Sequence, residues 1–104
     1  MVARAQIPKF SEAVAREFHP EKIILFGYYA YGNPNVNSEV DLLVIMPQSR
    51  ARGKRLSVRI RQAIHRDFPL DLLLRTPAEV AKRLRWGDFF LQEIMEKGEV
   101  LYEG

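Results

Sequence analysis

The run Val40-Asp-Leu-Leu-Val-Ile-Met46 constrains this chain more than any other stretch, because it is apolar on both faces apart from Asp41. A strand with one wet face alternates apolar and polar residues, whereas a continuously apolar strand needs cover on both sides. The chain must therefore build a sheet with this strand away from its edge. Lys22-Ile-Ile-Leu-Phe26 and Leu70-Asp-Leu-Leu-Leu74 read as two more short buried strands, and the second again carries a single acid, Asp71.

Around these strands the spacing predicts helices. Ile7, Phe10, Val14 and Phe18 recur every three or four residues, with Pro8 in the first turn and His19-Pro20 as a stop. Leu56, Ile60, Ile64 and Phe68 step by four and mark a second helix ending before Pro69. Thr76-Pro-Ala-Glu79 is a capping box that opens a third, ending near Trp86-Gly87. Asp88 caps a fourth, which carries Phe90, Leu91, Ile94 and Met95 inward and stops at Gly98. Trp86, Phe89 and Phe90 are expected to complete the core, and Val100-Leu-Tyr102 to add an edge strand. Between Tyr28 and Glu39, Gly32, Pro34 and three asparagines read as a loop. The expected architecture is α+β, with α/β-type layers: a small mixed β-sheet with helices packed mainly on one face. At 104 residues, without repeats or linkers, residues 1–104 read as one domain.

Several functions are excluded early. The absence of cysteine removes disulfides, thiolate nucleophiles and cysteine-based metal sites. No apolar run approaches the ~18 residues of a membrane span, and the first ten residues lack the apolar core of a secretory signal. A cytoplasmic location with no membrane association is the expectation. The charge of +3 permits an anionic substrate without demanding nucleic acid.

The acids inside the strands carry the chemistry. A carboxylate in a buried strand is costly unless a cation, a metal or hydrogen bonds compensate it. Glu39 and Asp41 are two apart and leave an extended chain on the same side; Asp71 joins them if its strand is a neighbour. Three such carboxylates, without a well-placed histidine, suit magnesium or manganese rather than zinc. The bland alternative, that Asp41 and Asp71 pair with arginines while Glu39 sits exposed in a loop, fits the spacing equally well.

The stretch upstream resembles the nucleotidyltransferase superfamily that includes DNA polymerase beta, and most closely its minimal (MNT) domains. That family reads G-S-x-A-R-G and then S-D-x-D-L-L-V; this chain reads Gly27-Tyr-Tyr-Ala-Tyr-Gly32 and then Ser38-Glu-Val-Asp-Leu-Leu-Val44. Leu70 to Val80 is similar to the segment with the third family acid, and Gly98-Glu-Val-Leu-Tyr102 to the usual domain end. The resemblance implies transfer of a nucleoside monophosphate from a nucleoside triphosphate, ATP being expected, to an acceptor hydroxyl by two-metal catalysis with Mg2+ or Mn2+. It implies that Gly27 and Tyr28 bind the nucleotide and that Glu39, Asp41 and Asp71 are catalytic metal ligands, with Asp71 the base or a metal bridge. The family serine is Tyr28 here, the family arginine is Tyr31, and the first aspartate is Glu39. These departures sustain an alternative: a catalytically weakened or inactive copy acting as an antitoxin-like binding protein for a helical HEPN-type partner.

Arg50, Arg52, Lys54, Arg55, Arg59, Arg61 and Arg66 form a run with no acid among them. It reads first as a solvated helix face and second as an anion surface, for nucleic acid, an acidic protein or the triphosphate, partly replacing the charge missing at Tyr31. Tyr28, Tyr29 and Tyr31 read as packing or as a platform for a base. A homo-oligomer is compatible with so small a domain.

Overall fold

The computed structural model describes residues 4–47 and 55–104. In chain order these form α1 (Gln6–Phe18), β1 (Lys22–Phe26), α2 (Tyr28–Tyr31), β2 (Val40–Ile45), α3 (Leu56–Ala63), β3 (Leu70–Arg75), α4 (Pro77–Arg85), α5 (Phe89–Lys97) and β4 (Glu99–Glu103). The sheet runs β3-β2-β1-β4. β1 is antiparallel to both β2 and β4, and β2 is parallel to β3. The mixed α+β architecture is thus as expected, with β2, apolar apart from Asp41, in the interior of the sheet and β4 at its edge.

Alternation along the strands divides the core into two layers. Ile23, Leu25, Leu42, Val44 and Leu70 face α1, α2 and α3, packing with Ile7, Phe10, Val14, Tyr29, Leu56 and Ile60. Ile24, Phe26, Leu43 and Ile45 face the other way, onto Val80 of α4 and Leu91 and Ile94 of α5. Three described helices cover one face and two the other, so the expected one-sided layout holds only as a majority. Both layers are needed, since β2 is buried throughout except at Asp41.

The helix signals act as read at most ends. α1 stops where His19 turns left-handed (φ 53°) and donates its N–H to the Ala15 carbonyl at 3.1 Å. At α4 the Thr76 hydroxyl accepts from the Glu79 N–H at 3.2 Å, and the Glu79 carboxylate accepts from the Thr76 N–H at 2.8 Å. Asp88 caps α5 by accepting the Leu91 N–H at 3.0 Å.

Three readings need correction. The segment after Gly27 opens with the four-residue helix α2 rather than pure loop, because Tyr29 plugs into the core. α3 ends at Ala63, five residues before Phe68. Phe68 is nevertheless buried, edge-on to Phe10 with ring centroids 5.8 Å apart, so a returning loop continues the four-residue rhythm. Trp86, Phe89 and Phe90 do not complete the core; they are exposed at the α4–α5 corner. No helix among the described residues is long and apolar enough to cross a membrane.

Candidate active site

Register brings the two strand acids together. β2 and β3 both begin with an apolar residue followed by aspartate, and their parallel pairing sets Val40 beside Leu70 and Asp41 beside Asp71. On the other side of β2, Phe26 is the partner of Asp41. Asp41 alternates with Leu42 and Leu72 and therefore emerges on the face of α4 and α5, at the end of the sheet where β1 exits and β2 and β3 begin.

Gly27 follows directly after β1, and its backbone (φ 74°, ψ −153°) lies where residues with a side chain are strained. A Cβ there would also overlap the Asp41 carboxylate oxygen Oδ2. The glycine thus does two things that no other residue can do together: it turns the chain into α2 and leaves room for the carboxylate beside the backbone.

Asp41 is half-buried and its pKa is pushed up to about 6. Burial is the main cause, followed by the negative charges of Asp71 and Glu39 and by a side-chain hydrogen bond with Asp71. Glu39 is exposed just before β2 and does not line the cleft, although its charge reaches Asp41. Asp71 is exposed. The structure therefore pairs Asp41 with Asp71 and leaves Glu39 as an outlying charge. No salt bridge to Asp41 or Asp71 occurs among the described residues, so the bland reading of arginine-paired acids is not what compensates them.

The carboxylates stand in an open cleft of about 490 Å³ lined by Phe26, Gly27, Asp41, Asp71, Tyr28, Tyr31, Gly32, Phe90 and Glu93. That volume is within the range of nucleotide-sized ligands. Tyr28 is 61% exposed and bends against Gly32, where a Cβ would stand 2.6 Å from its ring carbon Cδ1. The phenol borders the cleft and does not plug it. Tyr31 also lines the cleft, whereas Tyr29 is buried packing. From the opposite wall, Phe90 meets Phe26 edge-on with centroids 5.6 Å apart.

The donor set suits a hard cation. It is all oxygen, and the negative charges of Asp71 and Glu39 raise the proton affinity of Asp41, as expected of charges arranged for a cation. No group of three acidic, histidine or cysteine side chains among the described residues could hold a metal alone. Magnesium commonly takes one or two carboxylates and fills its remaining positions with water and phosphate oxygens. Asp41 and Asp71, side by side on β2 and β3, fit that mode.

The basic run is placed elsewhere. Arg50, Arg52 and Lys54 lie outside the described residues. α3 packs on the sheet face opposite the carboxylates, and Arg66 lies beyond its end. Arg59 stands over the Phe18 ring, 5.9 Å from its centroid, and Arg61 donates to the Leu70 carbonyl at 3.0 Å. None of the described arginines lines the cleft. Glu93 and the exposed position of Phe90 escape sequence reasoning. The only available signal is their three-residue spacing on α5, which shows a shared helix face but not what that face overlies.

A family model described as a nucleotidyltransferase domain matches residues 7–101. The fold is also that of a candidate nucleotidyltransferase from Sulfolobus solfataricus, known from a crystal structure, with a TM-score of 0.65. That similarity covers 95% of this chain and 78% of the other, at 15% sequence identity. No curated protein sequence matches the chain significantly.

Proposed function

We propose a function from one premise: the chain belongs to the nucleotidyltransferase domain family. It transfers a nucleoside monophosphate from a nucleoside triphosphate to an acceptor hydroxyl. The observation that carries this reading is the Asp41–Asp71 pair, set side by side by strand register and adjoining Gly27 in a nucleotide-sized cleft.

The chain's own residues divide the work. Gly27 lets the triphosphate approach the backbone closely, and the walls of the cleft orient the nucleoside. The acceptor oxygen attacks the α-phosphorus as the bond to the bridging oxygen of the β-phosphate breaks. Pyrophosphate leaves, and Asp71, the more exposed of the pair, takes the hydroxyl proton. Asp41 fixes charge at the base of the cleft, with Glu39 adding negative potential from outside. Two Mg2+ or Mn2+ ions held by Asp41 and Asp71 would stabilise the charge on the attacking and the leaving oxygens. Catalysis of this kind rests on positioning and electrostatics more than on covalent steps by the protein.

Incubation of the protein with Mg2+, mixed cellular RNA and protein acceptors, and a triphosphate labelled at the α-phosphate tests the reading. Label is expected to become covalently attached to an acceptor, whereas label at the γ-phosphate is not. Asp71→Asn is expected to lower incorporation by about a hundredfold or more. Incorporation that is equal from α- and γ-label, or unchanged in the variant, would overturn the assignment.

A further inference from the structure

The transfer chemistry leaves one charged wall of the cleft unused. Glu93 lines the cleft together with Phe26, Tyr28, Tyr31 and Phe90. It follows Phe90 by three residues on α5, so the two side chains share a helix face. It does not join Asp41 and Asp71 in any three-residue metal group. Nor does it contribute to the raised proton affinity of Asp41, which comes from burial, Asp71 and Glu39. Among the described residues no ion pair takes up its carboxylate. Glu93 is thus a hydrogen-bond acceptor on the cleft wall, on the same helix face as Phe90.

A triphosphate at Gly27, Asp41 and Asp71 leaves Tyr28, Tyr31 and Phe90 as the aromatic walls available to the base. Stacking there is tolerant, because every base has a π-face. A carboxylate is selective, because when ionised it only accepts hydrogen bonds. Guanine presents two adjacent donors, N1–H and the N2 amino group, which match the two carboxylate oxygens. Adenine and cytosine place a ring acceptor beside their amino group, and uracil flanks its N3–H with two carbonyl oxygens. Those acceptors face a carboxylate unfavourably.

We propose that Glu93 selects guanine as the base of the nucleotide bound in this cleft, an inference that rests on the nucleotidyl-transfer reading. The favoured donor is then GTP, in place of the ATP expected from the family resemblance. Glu93 acts on specificity and takes no part in the phosphoryl step.

The test is calorimetric titration of GTP, inosine triphosphate, ATP and UTP, each with Mg2+, into the full chain and its Glu93→Gln variant. Inosine triphosphate keeps N1–H but lacks the N2 amino group. GTP is expected to bind about tenfold tighter than inosine triphosphate, and by a larger factor than ATP or UTP. In the Gln variant the gap between GTP and inosine triphosphate is expected to fall below about threefold, because an amide offers one acceptor and one donor. Glu93 is exposed, so the variant tests recognition rather than folding. Equal binding of GTP and inosine triphosphate by the native chain, or a gap that survives the substitution, would overturn the selection and leave the transfer reading standing. Absence of magnesium-dependent binding by every triphosphate would overturn both.

Discussion

Asp41→Asn is expected to lower nucleotidyl transfer by about a thousandfold or more while raising the stability of the fold at neutral pH. The two effects share a cause. Burial and the charges of Asp71 and Glu39 disfavour the ionised Asp41 that the chemistry needs. In the folded chain the carboxyl keeps its proton up to about pH 6, whereas unfolded it releases it near 3.8. Between those values the folded state binds more protons, so stability falls as pH rises through the window and stays lower above it. The full displacement corresponds to about 3 kcal/mol. The carboxyl is partly exposed, and solvent screening reduces this to about 1–2 kcal/mol. Asparagine carries no charge and can still donate to Asp71, so the metal-free variant is expected to melt about 5–10 °C higher at pH 7.5. That gain should vanish near pH 3, below both values, where the native aspartate is protonated in the folded state and largely so in the unfolded one. Thermal unfolding of both proteins at the two pH values checks this, and a variant less stable than the native chain at pH 7.5 would contradict it.

Gly27→Ala is expected to damage both the fold and the site. A residue with a Cβ at this φ and ψ costs about 1–3 kcal/mol, which for a domain of this size lowers the melting temperature by about 4–8 °C per kcal/mol. The new methyl also meets Asp41 Oδ2 and must displace it. Misplacing a reacting group by ~1 Å can cost about a hundredfold in rate. The two contributions separate in a double variant. Combining Gly27→Ala with Asp41→Ala removes the collision but keeps the backbone strain, so the stability losses should fall short of additive. Strict additivity, measured by denaturant unfolding of the four proteins, would show that Gly27 is not reserved for the Asp41 carboxylate.

The strands are legible in the sequence because burial on both faces leaves a simple mark: Val40 to Met46 has one polar residue, and that residue belongs to the site. The α4 and α5 starts are legible for another reason, since Thr76, Glu79 and Asp88 satisfy backbone groups within three residues of themselves. Asp41 and Asp71 are legible as costly acids, but their adjacency depends on β2 and β3 being neighbours, and only pairing decides that. Periodicity fails where distant packing sets the outcome. Tyr29 holds a helical turn in a segment whose composition reads as loop. Phe68 keeps the rhythm of α3 after the helix has ended. Phe89 and Phe90 have the composition of core residues, yet the α4–α5 corner turns them outward, to 83% and 58% exposure. Glu93 looks like any polar residue on a helix until α5 is packed on the sheet face from which Asp41 emerges. The second wall of the cleft is for that reason a property of the fold and not of any local motif.

The most direct measurement is calorimetric titration of nucleoside triphosphates into the native chain and into Asp41→Ala, each with and without Mg2+. It requires no knowledge of the acceptor. The account predicts binding that depends on Mg2+ in the native chain and is lost in the variant. Binding by neither protein would contradict it, and the chain would then stand as a binding protein built on a transferase fold. Binding that persists in the variant or without Mg2+ would equally contradict the role assigned to Asp41.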